Sequence, residues 1–299
     1  MSKLHFNYTM RIGYTQPASV CRFTIKCLPG DTLRQKISET SIRIFPENDY
    51  MQGTDSFGNR SIYGCVSELH TEFSFELSGL AEIGTCPYEE IARTGDIGIF
   101  RYPFGCNRPG EKLRAYSQQL PGAQTQHVSG ACSPQYGKSV TDYMYSVSAE
   151  RLSEAPASME AGERQTYALC LELMHRLYAD FRYQPGCTDM QTTAEEAWSL
   201  GCGVCQDYAH IYIALLQLRG IPARYVTGMI PGEGASHAWV EACCASKWYG
   251  FDPTNDTIVT DSHIRIGVGR DASDCLINRG LMRGGGQQTQ EVHVIVEEM

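Results

Sequence analysis

A cysteine at the entrance to a helix is the feature of this 299-residue chain that carries the most chemistry. Cys205 stands in GCGVCQDYAHIYIALLQLRG, just after Gly201 and Gly203 and at the head of a strongly helical run. At such a position the unpaired N–H groups of the first turn and the positive end of the helix dipole favour the thiolate, which is the reactive form of the side chain. Two strings downstream supply what a cysteine nucleophile needs: SHAWVEA carries His237 and WYGFDPTN carries Asp252. An imidazole beside the sulfur can take its proton, and a carboxylate on the other ring nitrogen fixes the tautomer. Cys205, His237 and Asp252 are therefore the candidate catalytic set.

The elements that must position these groups are readable from periodicity. Val204, Tyr208, Ile211, Tyr212, Leu215 and Leu216 recur on one face and predict a helix from about Val204, stopped by Gly220 and Pro222. Before it, TTAEEAW offers Thr193 with Glu196 three residues on, a capping box for a short helix ending near Leu200 and Gly201. A longer helix is predicted from near Met159, with Tyr167, Cys170, Leu171, Met174, Leu177 and Tyr178 at three- and four-residue intervals. After the cysteine helix, ARYVTGMI, HAWVEACC and KWYGFDPT read as strands, the last ending at Asp252-Pro253, and EVHVIVEEM reads as a final strand after Gly284-Gly285-Gly286.

From residue 1 to about 85, FNYTMRIGYT, VCRFTIKCL, TSIRIFP, SIYGCVSEL and EFSFELSGLAEI alternate apolar and polar residues. Turn signals separate them at Pro29-Gly30-Asp31, Pro46-Glu47-Asn48-Asp49 and Gly58-Asn59. The expected organisation is α+β: an N-terminal antiparallel β-sandwich over 1–85, a connecting region over 86–158 with no sustained period, and a core over 159–299 in which the cysteine helix packs on an antiparallel sheet.

Composition removes several function classes. A net charge of -9 with no Lys/Arg run argues against a general nucleic-acid binder. No 18 apolar residues run together, so no membrane span is expected, and MSKLHFNYTMRIGYTQ lacks the apolar stretch of a secretory signal, which points to the cytoplasm. Thirteen cysteines is an odd count without a repeating spacing, read as reduced thiols rather than a disulfide framework. Cys202 and Cys205 form a C-x-x-C pair; an incidental Cys202 is the favoured reading, with a reversible Cys202–Cys205 disulfide or a zinc site including His237 as alternatives. No cofactor or metal is expected.

In this order, GVCQDYAH, GIPARYVTG, SHAWVE and DPTN resemble the transglutaminase-like superfamily, most closely its bacterial branch of transglutaminase-like enzymes and cysteine proteases. TTAEEAW and HIRIGVGRD resemble the same branch, as DSFGN at 55–59 does more weakly. The resemblance implies an N-terminal β domain ahead of a papain-like core, with Cys205 as nucleophile, His237 as general base and Asp252 as orienting acid. It implies thiol-dependent hydrolysis of peptide or isopeptide bonds in a protein or peptide substrate, with acyl transfer to an amine, or a non-catalytic peptide-binding scaffold, as the alternatives.

The tetrahedral oxyanion in such a mechanism needs the Cys205 N–H and one further donor, for which Gln206, Trp198 and Tyr183 are candidates. Asp207 is read as a dipole-complementing acid, His210 as a packing residue rotated away from Cys205, and Trp239 as a wall on the face of His237. GRDASD departs from the branch by placing Ala272 where an aromatic residue is common.

Overall fold

The computed structural model describes residues 1–91, 94–121, 149–156 and 159–299. Its first strand, β1 (Ser2–Ile25), runs through both FNYTMRIGYT and VCRFTIKCL, which alternation alone marks as separate segments. Leu4, Phe6, Tyr8, Met10 and Ile12 are buried in alternation with more exposed neighbours, the period-two pattern of a strand with one face in a core. β2 (Gln35–Phe45), β3 (Tyr50–Thr54), β4 (Arg60–Val66) and β5 (His70–Ile83) follow, with the turns where Gly, Pro and Asn mark them.

The two halves of β1 serve different neighbours. Ser2–Gly13 pairs antiparallel with β5 from Ser2↔Ile83 onward, and Cys21–Ile25 pairs with β4 from Cys21↔Val66. The register shifts between Gly13 and Ala18 and again between Ser19 and Arg22, where irregularities turn the strand from one set of partners to the other.

Beyond β6 (Tyr88–Glu90) the chain becomes mainly helical: α1 (Glu111–Gln119), α2 (Ala149–Glu154) and α3 (Ala161–Asp180). Part of the expected connecting region thus carries regular structure, while residues 92–93, 122–148 and 157–158 of it lie outside the described residues. Next come β7 (Arg182–Tyr183), α4 (Ala194–Leu200), β8 (Cys202–Gly203) and α5 (Cys205–Gln217). The chain ends with β9 (Ala223–Met229), β10 (Gly232–Gly234), β11 (His237–Cys244), β12 (Lys247–Asp252), β13 (Thr257–Ile258), β14 (Ile264–Gly269), β15 (Asn278–Gly284) and β16 (Gln288–Glu298). The fold is mixed, α+β, with mostly antiparallel sheets.

Two compact units emerge. One comprises Met1–Pro87, Val226–Ala238 and Val259–Met299; the other Tyr88–Tyr225 and Trp239–Ile258. These boundaries depart from the chain-order division at 85 and 158 because the C-terminal strands return to the first sheet: β16 pairs with β1 from Leu4↔Glu298 to Tyr14↔Gln288. In the same unit, Asn59 of DSFGN substitutes for a strand neighbour. Its Nδ2 donates to the Val268 carbonyl and its Oδ1 accepts from the Val268 N–H, each at 2.8 Å.

In the second unit α5 is buried along almost its whole length, including Tyr208 and Tyr212. Each tyrosine hydroxyl finds a carbonyl at 2.7 Å, Tyr208 on Phe181 and Tyr212 on Cys170, which removes the cost of burying an unpaired donor. β11 and β12 form an antiparallel hairpin from Cys244↔Lys247 to Val240↔Phe251, flanked by β13 and β6 on β12.

Candidate active site

The turn that leads into α5 is built around a buried carboxylate. Val204 is the N-cap in extended conformation, and Asp207 Oδ2 accepts the Val204 N–H at 2.8 Å and the Thr188 hydroxyl at 2.6 Å. Asp207 is 1% exposed, and burial pushes its pKa up against the lowering effect of these two donors. A structural role for Asp207, expected from its position in the first helical turn, is what these contacts describe. The two glycines before the cysteine have separate reasons. Gly201 closes α4 in the left-handed region at φ 70°, and a Cβ on Gly203 would lie 2.5 Å from Asp207 Oδ2.

Cys205 is the first residue of α5 and a free, partly exposed thiol. Ahead of it, β7 and β8 pair in parallel, Arg182↔Cys202 and Tyr183↔Gly203, with the Gln184 N–H donating to the Gly203 carbonyl at 2.8 Å. Cys202 is disulfide-bonded to Cys187, fifteen residues earlier. This corrects both expectations for Cys202: it is neither an incidental thiol nor a partner for Cys205, and its engagement with Cys187 also takes it from the zinc alternative. The reading of all cysteines as reduced fails at this pair, because residues 184–193 fold back along the cysteine turn, a return that spacing does not reveal.

His237 is the first residue of β11 and is almost fully buried; Asp252 is the last residue of β12 and is 0% exposed. Asp252 begins a tight turn in which Oδ1 accepts from the N–H groups of Thr254 (3.1 Å) and Asn255 (3.3 Å), and Oδ2 accepts from Asn255 Nδ2 at 2.7 Å. The far end of that turn is held by a contact the sequence did not announce: Asp256, at φ 53°, pairs with Nδ1 of His175 on α3. His175 sits within the helical period of α3, and nothing in the local string marks it. Trp239 is buried within β11, and His210 is fully buried with its ring 5.4 Å from that of Tyr225, in keeping with a packing role for His210.

The three candidate oxyanion donors are in different situations. Gln206 Nε2 reaches the Met190 carbonyl at 3.4 Å. Trp198 stacks on Tyr116 at 4.0 Å between ring centres and lies 6.3 Å from Phe181. Tyr183 is 54% exposed at the end of β7, and its phenol is pushed up by burial and then by the Cys205 thiol. No group of three or more metal-ligating side chains with suitable geometry occurs among the described residues.

Residues 154–253, which include Cys205, His237 and Asp252, match the family model for the transglutaminase-like superfamily, and residues 4–82 match that for the bacterial transglutaminase-like N-terminal region. The chain carries a transglutaminase-like core preceded by a bacterial transglutaminase-like N-terminal region. A crystal structure of a candidate cysteine protease from Cytophaga hutchinsonii superposes with a TM-score of 0.73 at 21% identity, covering 100% of this chain and 91% of that one, a likeness of fold. An uncharacterised protein of Mycobacterium leprae is 38% identical over 125 residues, a match spanning 38% of this chain and 44% of that relative. An uncharacterised protein of Mycobacterium bovis is 28% identical over 272 residues, covering 85% of this chain and 79% of its own length. The transglutaminase-like match thus takes in Cys205, His237 and Asp252 together.

Proposed function

We propose that this protein is a thiol-dependent hydrolase of peptide or isopeptide amide bonds, with Cys205 as nucleophile, His237 as general base and Asp252 as the group that orients the imidazole. The observation that carries the reading is the state of Cys205: a free, partly exposed thiol at the first position of a buried helix, inside the matched core. The hairpin register supports the partners. His237 opens β11 and Asp252 closes β12, the two strands that pair from Cys244↔Lys247 to Val240↔Phe251.

In this mechanism His237 takes the Cys205 proton and the sulfur attacks the amide carbonyl carbon. The C–S bond forms and the carbonyl π pair moves onto oxygen. Collapse of the intermediate re-forms the carbonyl and breaks the C–N bond, and the amine leaves with the proton held by His237. Water then attacks the thioester, His237 again takes the proton, and the acid departs as the Cys205 thiol is restored. The substrate is a protein or peptide, and the setting proposed is the cytoplasm, in keeping with buried cysteines such as Cys27, Cys170 and Cys244 that form no disulfide. No described helix is long and apolar enough to cross a membrane.

The test is a peptide panel containing internal amides and glutamine side chains, incubated with and without a primary alkylamine and read by mass spectrometry. Hydrolysis products that form equally with or without the amine, and that vanish in Cys205→Ala, are expected. Products that carry the amine in preference to water would overturn hydrolysis in favour of acyl transfer.

A further inference from the structure

Attack of a thiolate on an amide generates an oxyanion, and the Cys205 N–H at the head of α5 accounts for one donor to it. Of the three side chains that sequence order offers as a second donor, two are engaged elsewhere. The Gln206 amide is directed to the Met190 carbonyl, and the Trp198 ring is stacked on Tyr116, with the Phe181 ring 6.3 Å away. Tyr183 differs in each respect: among the described residues no aromatic stack or hydrogen bond falls on its ring, it is about half exposed, and it sits level with Gly203, two residues ahead of the nucleophile.

The position of Tyr183 is also unusually well fixed. The Arg182 N–H donates to the Gly201 carbonyl at 3.2 Å and the Gln184 N–H to the Gly203 carbonyl at 2.8 Å, so the backbone is held on both sides of the tyrosine. Cys202, the ladder partner of Arg182, is itself bonded to Cys187. A donor that must act without reorganising at the moment of reaction needs this kind of rigid mounting.

We infer that the Tyr183 hydroxyl is the second oxyanion donor of the site, a catalytic residue that hydrogen-bonds the developing O⁻ of the tetrahedral intermediate together with the Cys205 N–H. The inference rests on the hydrolase reading above. The phenol keeps its proton throughout: it donates a hydrogen bond as the carbonyl π pair moves onto oxygen and releases it when the C=O bond re-forms. Burial and the neighbouring thiol both push the Tyr183 pKa up, so the hydroxyl stays a donor across the neutral range.

Two reactions of the same sulfur separate this role from a structural one. Alkylation by iodoacetamide displaces iodide at a saturated carbon and forms no oxyanion, whereas acylation by p-nitrophenyl acetate passes through one. In Tyr183→Phe, the acylation burst should fall by roughly 10²-fold, the scale for loss of one oxyanion donor, while alkylation of Cys205 keeps its wild-type rate. Unchanged acylation would overturn the assignment. A parallel loss of both reactions would overturn it too, by showing that Tyr183 supports the thiolate or the turn. If the wild type itself shows no Cys205-dependent alkylation or acylation, the hydrolase reading fails first, and the inference falls with it.

Discussion

The two turns that carry the proposed nucleophile and the proposed acid are held in different ways. The Cys205 turn is fastened from outside, by a covalent Cys187–Cys202 bridge, a short parallel ladder and the Thr188–Asp207 hydrogen bond, all reaching in from residues 182–188. The Asp252 turn is fastened from within, by three hydrogen bonds from Thr254 and Asn255 to its own carboxylate, with one tether from His175 to Asp256. The difference follows from what each group does. A nucleophile must stay partly exposed to meet substrate, so its rigidity has to be imported, whereas a fully buried carboxylate can be fixed by the backbone it caps.

Substitutions at the reacting groups probe the comparison most strongly. Cys205→Ala should reduce amide hydrolysis to background. Asp252→Asn should lower kcat by roughly 10⁴-fold, the scale seen when an orienting carboxylate is lost from a catalytic triad. Steady-state assays on any substrate found by the peptide panel check both, and substantial activity in Asp252→Asn would remove Asp252 from the site.

The imported fastenings come next. Cys187→Ser opens a loop whose ends are fifteen residues apart and should cost about 3 kcal/mol of stability by loop entropy. Urea unfolding of wild type under oxidising and reducing conditions should show the same gap, which closes in the variant. Equal midpoints throughout would mean that the bridge does not hold the turn.

Asp207→Ala should cost about 1–3 kcal/mol, because it leaves the Val204 N–H without its acceptor. Burial raises the pKa of Asp207, so the folded protein holds that proton more tightly than the unfolded chain does. The associated stability is present below the ordinary carboxylate range and is lost as pH rises through the raised folded value. Wild type should therefore lose ground against Asp207→Asn as pH is raised from acid towards neutral. A pH-independent difference between their unfolding midpoints would contradict this. The smallest effect is expected at His175→Ala, about 1 kcal/mol or less for a partly exposed histidine–carboxylate contact. A larger loss would show that the Asp252 turn also depends on fastening from outside.

What the sequence made legible was local. Thr193 and Glu196 announce the start of α4, and the pair does form: the Thr193 N–H donates to Glu196 Oε2 at 2.8 Å. The apolar stripe from Val204 to Leu216 announces α5, and Pro253 marks the end of β12, because caps, periods and turns are set by neighbours a few residues away. Glu195 shows where this stops. It lies in the same TTAEEAW string, yet its carboxylate accepts the N–H groups of Gly110, Lys112 and Leu113 at the head of α1, more than eighty residues earlier. The Cys187–Cys202 bridge, the Asn59–Val268 stitch and the return of β16 to β1 were hidden for the same reason. Each depends on chain segments meeting after folding, and no periodicity encodes which distant segment arrives.

The central claim is that Cys205 is an activated thiol with His237 as its base, and its most direct test is whole-protein mass spectrometry after brief, limiting iodoacetamide treatment at pH 6. Thiols with a pKa of about 8.5 hardly react there; the exposed Cys65 and Cys86 are read as comparators in the same experiment. The account predicts fast single labelling in wild type that is absent in Cys205→Ala and strongly slowed in His237→Ala. Labelling no faster than that of Cys65 and Cys86, or an undiminished rate in His237→Ala, would contradict it.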